Sequence, residues 1–184
     1  MSRPYAPDPQ TVVEFWREAG PNRWFKKDTD FDRTIRSRFG DLYEMAARGD
    51  LDFWAEDATG MLALIILLDQ FPRNMFRRSP LAFATDEKAL GLARSALARG
   101  DHETVAEDIN QFLVMPLMHS EALQDQEDCL AWMTRIGNAE NVDAAEDHRD
   151  IIAKFGRFPH RNIVLGRETT AEEEAYLDAG GFLG

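Results

Sequence analysis

Apolar residues recur every three to four positions through most of the chain, the spacing that places side chains on one face of an α-helix. One such segment follows Asp28 or Thr29 and stops at Gly49; its apolar positions are Phe31, Ile35, Phe39, Leu42 and Met45. Another begins at Pro9, directly after the capping residue Asp8. The alternating pattern of half-buried strands does not recur. The sequence therefore predicts an all-α protein.

Further helices are predicted along the rest of the chain. Met61–Leu68 is apolar all round, and its Leu, Met and Ala content favours a buried central helix that ends at Pro72. Local start and stop signals place other helices at 85–100, about 103–114, about 119–136, from 143 onwards and from 170 to near 180. The expected architecture is a single domain, residues 1–184, of about seven to nine packed helices, with residues 1–8 as an extended arm.

The composition argues against some classes of binding partner and indicates where in the cell the protein is found. The chain has 184 residues and a formal charge of −12 at pH 7, which argues against binding to nucleic acid or to anionic membranes. No apolar run approaches the roughly 20 residues that span a bilayer. The start of the chain lacks the apolar core of a signal peptide, and the single Cys129 cannot form an intrachain disulfide. These features predict a cytoplasmic protein.

Two similar segments interrupt this acidic chain. Asp69–Asn74 and Phe155–Asn162 each place an aromatic residue and a proline ahead of an Arg-Asn pair. They lie in windows without Asp or Glu, 70–85 and 151–167, although 33 of the 184 residues are acidic. The windows hold seven basic residues: Arg73, Arg77, Arg78, Lys154, Arg157, Arg161 and Arg167. Because clustered arginines need anionic partners, either distant acids or a bound anion must neutralise them.

The same segments resemble a bacterial family known as domain of unknown function 924. The resemblance rests on three stretches in the same order, which are Leu67–Asn74, Pro116–Glu121, and His148 followed by Lys154–Asn162, and it extends over about residues 10–180. The family implies a tetratricopeptide-like helical fold with α-α superhelix-type packing. It implies no particular catalytic residue.

Two interpretations of the Arg-Asn segments stay open. In the first they are helix ends: proline terminates the helix, asparagine tolerates the left-handed conformation, and the arginines pair with Asp69 and Glu121. In the second they meet in the fold and form a site for an anion. The ligand-binding residues expected there are Arg73, Asn74, Arg157, Arg161, Asn162, Asp69, Glu121 and His148.

Histidines supply the titratable candidates near neutral pH. His119 and His160 are the candidate general acid–base groups. His119 also has a structural interpretation, as a buried donor beside a helix capped by Ser120. His148 lies on an apolar helix face and is either a core residue or a ligand contact. No pair of histidines shows a metal-binding spacing, so the sequence predicts neither a metal nor a cofactor.

Three functions are compatible with these residues. The leading hypothesis is a site for an anionic small molecule, and, if the protein is an enzyme, hydrolysis or transfer on a phosphorylated or carboxylated metabolite. The alternative is a tetratricopeptide-like scaffold that binds an acidic peptide or protein partner. In the third, both Arg-Asn segments are structural. The sequence leaves open whether the protein is an enzyme and what its oligomeric state is.

Overall fold

The first helices begin and end where local capping signals place them. The computed structural model describes residues 7–184, so the expected arm at 1–8 lies mostly outside the described residues. Helix α1 (Pro9–Ala19) is capped by Asp8, whose carboxylate accepts the N–H of Gln10 at 3.0 Å. A short α2 (Pro21–Trp24) leads to the long α3 (Thr29–Arg48), and Gly49 ends α3 in the left-handed conformation that glycine adopts without strain.

The central helix runs further than the sequence predicts. Helix α4 (Ala58–Ile65) continues through a π-helical turn (Ile66–Gln70) into α5 (Phe71–Met75), and residues 60–72 are all buried. The expected end at Pro72 is therefore wrong, because Phe71 keeps helical angles and bonds to the carbonyl of Ile66, five residues back.

Pro72 is tolerated because the fold satisfies the carbonyl group that it leaves free. A residue at position 72 would normally bond to the carbonyl of Leu68, but proline has no N–H to donate. The hydroxyl of Thr85 donates to that carbonyl instead, at 2.6 Å. Thr85 thus precedes the next helix as expected but makes no side-chain cap.

The remaining helices are α6 (Asp86–Arg99), α7 (Met115–Met118), α8 (Leu123–Ile136), α9 (Ala139–Phe155), α10 (Asn162–Leu165) and α11 (Ala171–Asp178). Seven helices in the part that the structure describes have eight residues or more, and this part contains no strand. The all-α prediction is confirmed.

Three expected helix positions are wrong. The helix predicted at 103–114 is replaced by two 3-10 turns, Asp101–Glu103 and Asn110–Leu113. Helix α8 begins at Leu123, after the turn that holds His119. Helix α9 begins four residues before Asp143, because the side chain of Asn138 caps it.

The core lies around the central helix. Helix α4 packs mainly against α1, α6 and the 3-10 turn Asp52–Glu56, while α9 packs mainly against α8. A second apolar cluster near the C-terminal end of α9 contains Ile151, Ile152 and Phe158, with Phe155 and Tyr176 at its edge. Within residues 7–184, no helix is long and apolar enough to cross a membrane.

Candidate functional site

The two arginines of the Arg-Asn segments meet at one carboxylate. Arg73 donates two hydrogen bonds to Asp86, both 2.9 Å long, and a third to the backbone oxygen of Asp69. Arg161 approaches the same Asp86 carboxylate, but its nearest nitrogen lies 3.8 Å away, beyond hydrogen-bonding distance. The two segments therefore come together, and only one of the two arginines is hydrogen-bonded to the shared carboxylate.

Arg161 is held between two aromatic rings. Its guanidinium carbon lies 4.7 Å from the centre of the Phe83 ring and 4.5 Å from that of Phe158. Only 8% of its side chain is exposed, and its Nε is buried without a hydrogen-bond partner. Burial and, to a smaller extent, the neighbouring charge of Arg73 together lower the pKa of Arg161 to about 10. The guanidinium is still protonated at neutral pH.

A buried Asp–His pair lies on the other side of Arg73. The Asp69 carboxylate, on the π-helical turn, has no exposure, and its Oδ1 is 2.8 Å from Nδ1 of His119. Its Oδ2 accepts from the amide of Gln70 at 2.5 Å, and Arg73 lies 3.4 Å from its Oδ1. Burial favours the neutral acid, but His119 and Arg73 outweigh it and hold the pKa of Asp69 below its usual range.

The protonation of this pair follows from its surroundings. Burial lowers the pKa of His119, the charge of Arg73 lowers it further, and Asp69 only partly opposes them. His119 is therefore neutral at neutral pH. Because an ionised carboxylate can only accept, the single proton of the ring lies on Nδ1 and is donated to Asp69.

His148 and His160 lie near the same charges. The Nδ1–H of His148 donates to the backbone oxygen of Ala144 at 2.7 Å. Burial, with a smaller contribution from the charge of Arg161, lowers the pKa of His148 to about 4. Burial likewise lowers the pKa of His160 to about 3. Both rings are neutral near neutral pH, and the buried Nδ1 of His160 has no hydrogen-bond partner within residues 7–184.

The C-terminal segment covers these two histidines. The ring centre of Phe182 lies 4.6 Å from that of His148 and 5.1 Å from that of His160. The N–H of Phe182 donates to the hydroxyl of Tyr176 at 3.0 Å. Gly184 sits so close to His160 that an added Cβ would lie 2.9 Å from its Cδ2. Phe182 and Gly184 thus pack against the ring of His160, which directly precedes Arg161 in the chain.

The two asparagines do not join the arginines. The amide of Asn74 donates to Asp32 at 2.8 Å, in a separate cluster that also binds Arg77. The amide of Asn162 donates to Glu173 at 3.1 Å. The expectation that Asn74 and Asn162 converge on one ligand is therefore wrong, because each is used by a different acid.

Arg157 and Glu121 form complete internal pairs. Arg157 donates to both oxygens of Glu173, at 2.6 and 2.8 Å. Glu121 accepts two hydrogen bonds from Arg167 and one from the backbone N–H of Phe158. The structural interpretation pairs Glu121 with an arginine of the two Arg-Asn segments; its partner is instead Arg167, at the end of the acid-free window 151–167. These contacts have the geometry of structural ties.

Two residues of the site were missed from the sequence. Asp86 and Phe83 lie outside both motifs, although Asp86 is the first acid after the acid-free window 70–85 and so was its natural partner. In the part of the chain that the structure describes, no three His, Cys, Asp or Glu side chains are placed to hold a metal ion.

Comparison with known proteins agrees with this fold. A family model described as a bacterial protein of unknown function, DUF924, matches residues 12–181. The chain belongs to this family. A solved structure of a protein of unknown function from Agrobacterium tumefaciens is 45% identical and covers 94% of this chain and 97% of that one, with a TM-score of 0.90. No curated protein sequence matches the chain.

Proposed function

We propose that this DUF924 protein binds a small anionic molecule through the guanidinium of Arg161. The observation that supports the proposal is the unfilled hydrogen-bonding capacity of this side chain. Within residues 7–184 the buried Nε–H of Arg161 has no acceptor, and the Asp86 carboxylate lies 3.8 Å from its Nη1, beyond hydrogen-bonding distance. Buried donors without acceptors are unfavourable by about 1–3 kcal/mol each, so a bound group with several acceptors would stabilise this arrangement.

The neighbouring Arg73 differs from Arg161 in its hydrogen bonds, although both arginines approach Asp86. Its charge is balanced by Asp69 and Asp86, and three of its donors make hydrogen bonds. Arg161 shares Asp86 but forms no hydrogen bond with it. An oxyanion matches the donors of a guanidinium, because guanidinium binds carboxylate and phosphate through paired hydrogen bonds. The two phenyl rings hold the fork in place before the ligand arrives.

Thermal unfolding with added anions tests this proposal. A ligand that binds only the folded protein raises the melting temperature by mass action. We expect phosphate, sulfate or a small carboxylate to raise it more than chloride at the same ionic strength. The change Arg161→Met removes the donors but keeps an apolar chain between the rings, and it should abolish the ligand-induced shift.

The matched control is Arg77→Met, since Arg77 belongs to the separate ion pair with Asp32. This variant should keep the full anion-induced shift, whatever its own stability. Equal shifts in the native protein and Arg161→Met would show that Arg161 does not hold the anion. The proposal also fails if phosphate, sulfate and carboxylate raise the melting temperature of the native protein no more than chloride does.

A second candidate function is the binding of an acidic peptide, the role that the tetratricopeptide-like resemblance favours. A surface groove beside α3 and α5 supports it, because three arginines line the groove; the lining is Thr29, Asp32, Arg33, Arg36, Asn74, Met75 and Arg77. Fluorescence anisotropy with a labelled oligoglutamate peptide tests it. Binding should be lost in the double variant Arg33→Gln, Arg36→Gln and kept in Arg161→Met.

A further inference from the structure

A pocket of about 440 Å³ lies between the C-terminal half of α9 and the chain around the end of α11. Ile151 and Phe155 line it from α9. Tyr176 lines it from α11, and Gly181 and Phe182 line it from the segment that follows. The volume is within the range of small-molecule sites, roughly 300–1,000 Å³. The proposed anion site uses none of these residues.

The wall after α11 is formed by a turn that needs two glycines. Gly180 has a φ of +85°, in the left-handed region that glycine adopts without strain. At Gly181 an added Cβ would lie 2.5 Å from the ring of Tyr176, so the backbone can pass this ring only without a side chain. The N–H of Phe182 then donates to the hydroxyl of Tyr176 at 3.0 Å. The turn thus brings Phe182 back to α9, where its ring packs against that of His148.

Three aromatic side chains line the pocket: Phe155, Tyr176 and Phe182. The ring centres of Phe155 and Tyr176 are 5.1 Å apart, and Phe182 is 37% exposed. Aromatic faces carry partial negative charge and attract ammonium groups. One such contact is present at the rim, since Nζ of Lys154 lies 4.8 Å from the centre of the Phe155 ring. An ammonium group can therefore reach a ring of this pocket.

The charged side chains of the pocket leave one carboxylate without a partner. Asp147, Asp150 and Lys154 all line it. The ammonium of Lys154 lies 3.5 Å from Glu172, and the carboxylate of Asp150 lies 2.6 Å from Arg149. Asp147 is exposed and forms no ion pair within residues 7–184. Asp147 is the charge that a ligand in this pocket could neutralise.

The two helices beside the pocket add to its negative potential. Helix α9 carries five acidic and two basic residues, and α11 carries four acidic residues and no basic one. The chain as a whole has a formal charge of −12. A surface with one sign of charge concentrates ligands of the opposite sign. A cation is therefore favoured at this pocket over a neutral molecule, and an anion is disfavoured.

We propose that this pocket binds a small organic amine in its ammonium form. The apolar body of the amine lies against the rings of Phe155, Tyr176 and Phe182, and the ammonium group faces Asp147. An amine with an apolar body matches both features of the lining, its rings and its unpaired carboxylate. The proposal is independent of the anion site at Arg161, so either can fail without the other.

Amide proton–nitrogen correlation NMR of the full chain tests this proposal with three probes. Benzylammonium, benzyl alcohol and benzoate share one ring and differ in charge. We expect benzylammonium to shift the amide resonances of Gly180, Gly181 and Phe182 in a saturable way. Benzyl alcohol should bind about five-fold more weakly or worse, because a cation–π contact and an exposed ion pair are each worth a few-fold in affinity. Benzoate should leave these resonances in place.

Variants separate the contact with Asp147 from the general field of an acidic protein. Asp147→Asn should weaken benzylammonium binding about three-fold and leave benzyl alcohol binding unchanged. Asp143→Asn is the matched control, since it makes the same change one turn earlier on α9, outside the pocket. It should bind benzylammonium as the native protein does.

A second pair of variants tests the aromatic wall. Phe182→Ala should weaken the binding of both benzylammonium and benzyl alcohol. Leu183→Ala, at the exposed neighbour that does not line the pocket, should weaken neither. The same spectra show whether each variant is folded.

Three results would overturn the proposal. The first is equal affinity for benzylammonium and benzyl alcohol, because charge would then play no part. The second is an equal loss of affinity in Asp147→Asn and Asp143→Asn, which would indicate the field of the whole protein and not a contact. The third is a benzylammonium titration that leaves the resonances of Gly180, Gly181 and Phe182 unshifted.

Discussion

Glu121 binds Arg167 through both carboxylate oxygens, at 2.7 and 3.0 Å, across 46 residues of sequence. The same carboxylate accepts the backbone N–H of Phe158 at 2.8 Å. Together these bonds fasten the turn before α8 to the two sides of α10. Arg161 lies between Phe158 and Arg167 in the chain, so this pair supports the position of the candidate ligand-binding arginine.

Removing this carboxylate should destabilise the protein. Glu121→Gln should lower the free energy of unfolding by about 2–3 kcal/mol, because it leaves a partly buried guanidinium without its ionic partner. Urea denaturation at neutral pH measures the change. Glu172→Gln is the control, because Glu172 and its partner Lys154 are both largely exposed. Its free energy of unfolding should stay within about 0.5 kcal/mol of that of the native protein.

The contribution of Glu121 should also depend on pH. Burial opposes its ionisation, but the hydrogen bonds from Arg167 and Phe158 outweigh burial and lower its pKa. A carboxylate with a lowered pKa stabilises the fold above its unfolded pKa of about 4.3 and loses that contribution as pH falls through the folded value. The difference between native and Glu121→Gln proteins should shrink on acidification. A difference that is constant with pH would contradict this role.

Two glycines in helices should respond oppositely to alanine. A Cβ at Gly60, in α4, would lie 2.0 Å from the backbone oxygen of Trp54, so Gly60→Ala should destabilise the protein by about 1–3 kcal/mol. A Cβ at Gly91, in α6, would meet no atom within 4 Å. Gly91→Ala should stabilise by about 0.5–1 kcal/mol by restricting the unfolded chain. Both variants carry the same chemical change. We expect the melting temperature to fall in Gly60→Ala and to rise in Gly91→Ala.

Charges should not be tolerated in the central helix. Leu64 and Leu67 are fully buried, so Leu64→Asp and Leu67→Asp should each lower the free energy of unfolding by more than about 3 kcal/mol or prevent folding. Leu123→Asp makes the same change in the first turn of α8, where the leucine is 43% exposed. Leu123→Asp should change the free energy of unfolding very little, because a negative charge is favourable at a helix N-terminus. Native melting temperatures for both core variants would contradict the assignment of this core.

Cys129 should be chemically silent in the folded protein. It is completely buried, and burial raises the pKa of its thiol to about 12, so little thiolate forms near neutral pH. We expect no reaction with a disulfide reagent such as dithionitrobenzoate under native conditions and one equivalent of reaction in guanidinium chloride. Rapid labelling of the native protein would show that α8 opens locally.

The elements that the sequence predicts well are those set by short-range chemistry. Asp8, Asp28 and Gly49 fix the ends of α1 and α3 through bonds to residues two to four positions away, so no knowledge of the fold is needed. The capping box of Thr170 and Glu173 is equally local. The end predicted at Pro72 fails for the opposite reason, because a hydroxyl 17 residues distant satisfies the carbonyl that proline leaves free.

The candidate site could be predicted only in part. The acid-free windows indicate correctly that Arg73 and Arg161 need partners from elsewhere, and the two arginines do meet. The identity of the partner could not be predicted, because Asp86 is chosen by how α6 packs against the central helix. The partners of Asn74 and Asn162 could not be predicted either. The two asparagines have similar neighbours in sequence, yet Asn74 binds Asp32 and Asn162 binds Glu173.

The position of Gly184 has a practical consequence for anyone who handles this protein. Its backbone lies against the ring of His160, one residue from Arg161. An affinity tag or fusion partner attached after Gly184 would therefore start near His160 and Arg161, and its acidic side chains would compete there with added anions. Binding measurements call for a tag that is cleaved from this end or absent from it.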